Sequence, residues 1–176
     1  MTHRLFVAVR PPDEVRDALI DTIEGLDGAR WQADEQLHLT LRFIGEVDTP
    51  VANDLAAAFA GIVAPPFDLS LEGVSYFERK GMPTSIWARV PLVPELTRLQ
   101  RKVERACQSV GLPPESRRFM PHITIARLPR TAGWIAPWLA RHAGLRTTWP
   151  VEEFILFESH LLASGAHYEA VAHFPL

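Results

Sequence analysis

The sequence predicts an α+β fold with antiparallel sheets, one domain over residues 1–176 made of two similar lobes around a central cleft. Three observations carry that expectation. Strand patterns precede or separate isolated helices and are joined by hairpin signals, unlike the regular strand–helix alternation of a doubly wound parallel sheet. A short pattern, His38-Leu39-Thr40-Leu41, returns as His122-Ile123-Thr124-Ile125, each in a lobe of helices and strands. A length of 176 residues with 47% hydrophobic and 22% charged residues fits one domain with a sizeable core.

The elements follow in order. Arg4 to Val9 reads as a strand. Pro11, Pro12 and Asp13 start a helix over about 12–26, with Val15, Leu19, Ile20 and Ile23 as its apolar stripe and Gly25 and Gly28 at its end. A short strand at 29–32 holds Trp31. The first motif strand, 37–43, is followed by breaks at Gly45 and Asp48-Thr49-Pro50, and Asp48 or Thr49 caps an alanine-rich helix over 50–63. Phe67 to Phe77 reads as a strand, a loop with Gly81 turns the chain, and 85–90 returns. A helix over 94–110 presents Leu96, Leu99, Val103 and Ala106 or Cys107 on one side, and Gly111 ends it. After a loop at 112–118 comes the second motif strand, 121–126. A short helix near 132–140 holds Pro137. A strand over 146–156, interrupted near Pro150, precedes a terminal hairpin around Ser164-Gly165-Ala166.

In a strand, side chains alternate between faces. Leu37, Leu39, Leu41 and Phe43 therefore share an apolar face, and His38, Thr40 and Arg42 lie opposite. The second copy places Pro121, Ile123 and Ile125 against the core and His122 and Thr124 away from it. Each strand buries one side and offers an imidazole and a hydroxyl on the other.

Two such strands in facing lobes meet the needs of phosphodiester hydrolysis without a metal. One base must take a proton from water, and one acid must give a proton to the leaving oxygen. The attack is in line, so the two groups flank phosphorus on opposite sides, as two histidines related by a pseudo-twofold axis do. Histidine serves both roles because its pKa lies near working pH. The threonine hydroxyls donate to the phosphate oxygens, and a guanidinium holds the charge.

Composition limits the alternatives. A net charge of −3 and a pI near 6.2 argue against a protein that coats long duplex nucleic acid. The lone cysteine, Cys107, makes an internal disulfide impossible and reads as a packing residue. The apolar run Leu5 to Val9 is too short for a signal peptide or a membrane span, so a cytoplasmic protein with no membrane partner is expected, and a monomer. Two histidines invite a zinc reading, but no third ligand has an obvious spacing, and neither H-E-x-x-H nor paired cysteines occur.

The duplicated motif resembles the paired H-x-T-x signature of the 2H phosphoesterases. More narrowly, the chain resembles the RNA 2',3'-cyclic phosphodiesterases, also called the 2'-5' RNA ligase family. The resemblance spans the chain: R-L-F-V-A-V with the following P-P, L-H-L-T-L-R-F-I-G-E-V, F-M-P-H-I-T-I-A-R, G-A-H-Y-E and the closing F-P-L. It implies a bilobal fold, no metal and no cofactor, and opening of a 2',3'-cyclic phosphate at an RNA end to a 2'-phosphate. It also implies His38 as general acid to the 3' oxygen, His122 as general base for water, Thr40 and Thr124 on the phosphate, and Arg127 as a phosphate ligand. The alternatives are a 2'-5' RNA ligase working without ATP, an enzyme for another small cyclic phosphate, and a non-catalytic nucleotide- or RNA-binding module.

Arg127 stands five residues after His122, so strict alternation sends it to the opposite face. It reaches the cleft only if the strand ends or bulges near Ala126. Arg42 has the right parity without a bulge and is the competing clamp. Parity places Phe43 in the core, and Trp31 and Phe6 are also expected to fill core rather than stack on a base. Arg117 and Arg118 meet either the RNA backbone or only solvent. His3, His142, His160, His167 and His173 lack a repeated context and are expected at the surface or in packing.

Overall fold

The computed structural model describes residues 1–176. Its ten strands are β1 (Thr2–Val9), β2 (Arg30–Trp31), β3 (Leu39–Asp48), β4 (Phe67–Glu72), β5 (Val74–Arg79), β6 (Met82–Arg89), β7 (His122–Arg127), β8 (Arg146–Val151), β9 (Glu153–Leu162) and β10 (Gly165–Pro175). Four α-helices accompany them: α1 (Asp13–Ile20), α2 (Thr49–Ala60), α3 (Pro94–Ser109) and α4 (Ala136–Arg141). All strand pairs are antiparallel. The fold is α+β, as expected.

The large sheet runs β10-β9-β1-β3-β7-β6-β5, with β2 also on β7; β4 and β8 form a separate pair. The sheet consists of two halves joined at its middle by a single residue pair, Leu39 opposite Ile123. Beyond that pair β3 and β7 part, and the cleft opens between them. One face of the sheet carries Leu5, Val7, Leu39, Leu41, Ile86, Ile123 and Ile125 into a core shared with Val15 and Leu19 of α1, Leu55 and Phe59 of α2, and Leu96, Leu99 and Val103 of α3. Apolar burial of this kind contributes about 25 cal/mol per Å² removed from water. The cleft face has its own small cluster, Phe6, Ala8, Ile155 and Phe157, with Tyr168 packed against it.

Several elements differ from the alternation pattern for identifiable reasons. Helix α1 stops at Ile20: the Thr22 hydroxyl donates to the Leu19 carbonyl at 2.6 Å, and the Thr22 carbonyl accepts from Trp138 Nε1 at 2.9 Å. Ile20 consequently lies outside the core. Strand β3 continues through Gly45, which bends with φ +84° instead of ending it. Asp48 caps α2, accepting from the Val51 N–H at 3.0 Å. The stretch 67–77 is two strands, because Gly73 at φ +75° turns the chain out of β4 into β5. The next turn, Lys80-Gly81, has both residues at positive φ, the geometry that suits a tight hairpin. The 146–156 stretch is likewise two strands, parted at Glu152. No helix is long and apolar enough to cross a membrane.

Gly73 also sits against the chain: a Cβ there would lie 3.1 Å from the Ala143 carbonyl oxygen. Gly73→Ala is expected to lower stability in urea unfolding by roughly 1–3 kcal/mol. Gly144→Ala, where nothing lies within 4 Å, is expected to leave the midpoint nearly unchanged.

Candidate active site

The register of the central pair places the motif residues. With Leu39 facing Ile123 in an antiparallel pair, His38 lies across from Thr124 and Thr40 across from His122. Each histidine is thus set beside the threonine of the other copy. All four line one cleft of about 680 Å³. Arg4, Arg117 and Arg127 line it as well, together with Gln32, Gln36, Ser85, Ser159 and Tyr168 and the aromatic rings of Phe6, Phe43 and Phe77. No carboxylate or thiol lines it. The cleft therefore attracts anions, and a metal ion would find only two imidazoles as strong ligands.

Each histidine is oriented in the same way. His38 Nδ1 lies 2.7 Å from the Gln36 carbonyl oxygen, and His122 Nδ1 lies 2.6 Å from the Met120 carbonyl oxygen. A carbonyl only accepts, so Nδ1 carries the proton in both rings, and each neutral ring presents the lone pair of Nε2. Packing fixes the ring planes. His38 stands 4.9 Å from Phe6 and edge-on to Tyr168 at 5.3 Å; His122 stands edge-on to Phe77 at 5.0 Å and 5.4 Å from Trp87.

Burial lowers the pKa of both imidazoles. For His38 desolvation dominates, opposed by the Gln36 hydrogen bond and reinforced by Arg10, His122 and Arg127, and brings the value to about 4. For His122 desolvation and then Arg127 act in the same direction against the Met120 hydrogen bond.

Arg127 reaches the cleft through a bulge. Ile86 pairs with Ala126 and Trp87 with Thr124, so Ile125 is left without a partner, Ile125 and Ala126 both turn into the core, and Arg127 swings to the cleft. Strand β3 has the same bulge at the same place. Val7 pairs with Arg42 and Ala8 with Thr40, leaving Leu41 unpaired. That bulge corrects two expectations. Arg42 does not line the cleft but is buried on the core side, its Nε 2.6 Å from Glu104, with Nη1 donating to the Phe43 carbonyl and Nη2 to the Pro113 carbonyl. Phe43 does not fill core but stands 55% exposed at the cleft. It occupies the position in β3 that Arg127 occupies in β7: Phe43 pairs with Phe6, and Arg127 pairs with Ser85.

Arg42 acts on the site indirectly. Its partner Glu104 also accepts the Glu115 N–H at 3.0 Å, and Arg42 itself holds Pro113, so the pair fastens the loop that leads through Met120 to His122.

The remaining histidines lie elsewhere. His142 packs on Trp138. His3 bonds Glu158 at 2.8 Å and Thr49 at 2.9 Å, and His173 bonds Glu153 at 3.2 Å. On the strand positions that alternate with the cleft-lining ones, ligand atoms of Glu158, His160 and Glu169 lie within 4.8 Å of one another. His160 Nε2 there bonds Glu169 at 3.1 Å, so the group is already internally paired.

The model of the 2'-5' RNA ligase superfamily matches residues 11–161. The chain belongs to that superfamily. It is 34% identical to the RNA 2',3'-cyclic phosphodiesterase of Thermus thermophilus, over 98% of this chain and 90% of that one. It is 32% identical to the Geobacillus stearothermophilus protein of the same name over 97% of its own length, and spans 56% of that relative. The crystal structure of Escherichia coli LigT complexed with 3'-AMP superposes with a TM-score of 0.84 at 26% identity, covering 100% of this chain and 99% of that one. The fold and family are those that the duplicated motif suggested.

Of the site residues, Gln36, Ser85 and Tyr168 were not singled out by sequence. Gln36 had a signal in retrospect, lying two residues before His38 as Met120 lies two before His122. Ser85 and Tyr168 come from partner strands whose register no local pattern encodes.

Two outcomes are expected. Arg42→Ala should lower stability by about 3–5 kcal/mol, because Glu104 loses its buried partner, whereas Arg127→Ala at an exposed position should shift the urea midpoint little and weaken inorganic phosphate binding. The second concerns pH. His38 has a pKa below the ordinary 6.5 in the folded chain, so the unfolded chain binds more protons between about 6.5 and 4. Stability should therefore be full above 6.5 and fall as pH drops toward 4, with a slope of up to about 1.4 kcal/mol per pH unit from this group. His38→Gln should flatten that part of a urea-midpoint profile.

Proposed function

We propose that this chain hydrolyses the 2',3'-cyclic phosphate at an RNA end to a 2'-phosphate by two-histidine acid–base catalysis without a metal or cofactor. The observation that carries the reading is the pair of Nε2 lone pairs, held by equivalent carbonyl bonds on two strands that meet at one residue pair. Such a pair brackets a phosphate from both sides. Thr40 and Thr124 donate to its non-bridging oxygens, and Arg127 balances its charge. The relatives' names and the anion-attracting cleft support the substrate class. The 176 residues act as one domain with both lobes contributing, and one copy supplies every residue of the site. A cytoplasmic monomer suffices.

In this reading His122 Nε2 takes the proton of water as it attacks phosphorus. The P–O3' bond breaks, and His38 Nε2, protonated beforehand, gives its proton to O3'. This role split follows the family resemblance. Burial alone opposes it, since the more strongly depressed His38 is the costlier place for a proton in the empty cleft. The bound phosphate anion offsets that cost by raising the imidazole pKa values. The working form carries one proton on the pair, and its population peaks between the two pKa values, whichever ring holds it.

The test is hydrolysis of cytidine 2',3'-cyclic phosphate in excess chelator. Turnover to the 2'-phosphate should persist, and His38→Ala and His122→Ala should each lose about 10²–10⁴-fold in kcat. The plot of kcat/KM against pH should be a bell whose limbs both lie on the acid side of 6.5, since burial lowers both imidazoles in the free enzyme. A sigmoid with one ionisation would refute the pair, and chelator-sensitive turnover would refute the metal-free mechanism.

A further inference from the structure

The terminal hairpin carries a polar cluster on the face turned away from the cleft. Ser159 and Tyr168 line the cleft, so the alternating positions, Glu158 and His160 of β9 with His167 and Glu169 of β10, belong to the other side. The register there sets like beside like: Glu158 pairs with Glu169, and His160 pairs with His167. Two carboxylates directly opposite each other repel, and strands joined by charge pairs alone set opposite charges across. A cation between the carboxylates removes that conflict.

The ligand atoms already approximate a coordination shell. His160 Nε2 lies 3.1 Å from Glu169 Oε2 and 3.9 Å from Glu158 Oε2, and one ligand atom from each of the three lies within 4.8 Å of the others. A tetrahedral zinc ion about 2.1 Å from each ligand asks for ligand atoms about 3.4 Å apart, between the two measured distances. An outer support is present too. His3 Nδ1 lies 2.8 Å from Glu158 Oε1, and His3 Nε2 lies 2.9 Å from the Thr49 hydroxyl. A carboxylate only accepts, so Nδ1 carries the proton and Nε2 accepts from Thr49. His3 thus occupies one oxygen of Glu158 and leaves the other on the side of His160, as neighbours do when they orient a metal-ligating carboxylate.

We propose that Glu158, His160 and Glu169 bind a divalent cation of the zinc class. His167, exposed and 6.4 Å from His160 ring to ring, is free to turn in as the fourth ligand. Imidazole mixed with carboxylate suits zinc and its neighbours, whereas magnesium and calcium take oxygen ligands. On binding, the His160 proton moves from Nε2 to Nδ1, and the freed lone pair takes the ion in place of the hydrogen bond to Glu169. The ion ties β9 to β10 and, through His3, to β1. It is a structural clasp on the far face of the hairpin, separate from the two-histidine chemistry, which needs no metal.

The test is calorimetric titration of the full, chelator-stripped chain with zinc chloride, paired with thermal melting. One zinc should bind per chain, and zinc at about a hundred times its Kd should raise Tm by roughly 5–10 °C. Glu169→Gln and His160→Gln should each weaken zinc binding by about 100-fold or more, and His3→Ala, which removes only the orienting bond, by about 10–100-fold. Glu169 is exposed, so that variant keeps its fold, and melting without zinc verifies it for all three. His122→Gln, in the cleft, should leave zinc binding unchanged. No zinc binding at micromolar concentrations, binding that His122→Gln abolishes and Glu169→Gln spares, or equal stabilisation by magnesium overturns the site. Hydrolysis in excess chelator tests the cyclic-phosphate reading separately, and neither result depends on the other.

Discussion

The site depends on one antiparallel contact, Leu39 opposite Ile123, where the two halves of the sheet touch. Both side chains are fully buried, so the core fixes their register from behind. A slip of one residue in either strand would put that strand's apolar residue in the cleft and its histidine in the core, which burial forbids. Because the pair is antiparallel, the same register sets each histidine beside the other strand's threonine. Because it is a single pair, the strands part at once and leave room for a ligand. The geometry of the cleft and the packing of the core are thus specified by the same two residues.

The two bulges complete the arrangement. In each motif strand an extra residue follows the threonine, and two consecutive side chains turn to the core side: Leu41 and Arg42 in β3, Ile125 and Ala126 in β7. The shared position of the irregularity marks it as part of the repeated unit. Its effect is to change the parity of everything beyond it. Arg127 comes into the cleft by this route, and Arg42 leaves it to brace the loop that holds His122 through the Met120 carbonyl.

This accounts for what was readable in the sequence. His38, Thr40, His122 and Thr124 lie before the bulges, where period-two alternation holds, and their duplication singled them out. Arg42 and Phe43 lie beyond a bulge, and strict alternation misplaced both. For Arg127 the need for a bulge was visible because family likeness and parity disagreed; for β3 no such conflict existed to reveal it. The apolar stripe of α3 was legible in full, since Leu96, Leu99, Val103, Ala106 and Cys107 are all buried. The end of α1 was not, because it is set by Trp138, distant in sequence, taking the Thr22 carbonyl. Ser85 and Tyr168 were hidden for the same reason: long-range register decides which face of a partner strand meets the cleft.

In the proposed reaction, the equivalence of Phe43 and Arg127 puts a symmetric frame to an asymmetric use. Phosphoryl displacement needs two similar proton carriers and two similar hydroxyl donors, and there the halves agree. It needs only one excess positive charge on the phosphate, and its two oxygens leave and arrive with different bodies attached. There the halves differ, with a guanidinium paired to Ser85 on one strand and a phenyl ring paired to Phe6 on the other. A second guanidinium at position 43 would add another positive charge beside two imidazoles whose pKa values burial and nearby cations already lower. That would deepen the cost of the single proton on which acid–base exchange depends. An aromatic residue at that position gives a flat apolar wall and leaves the charge of the pair unchanged.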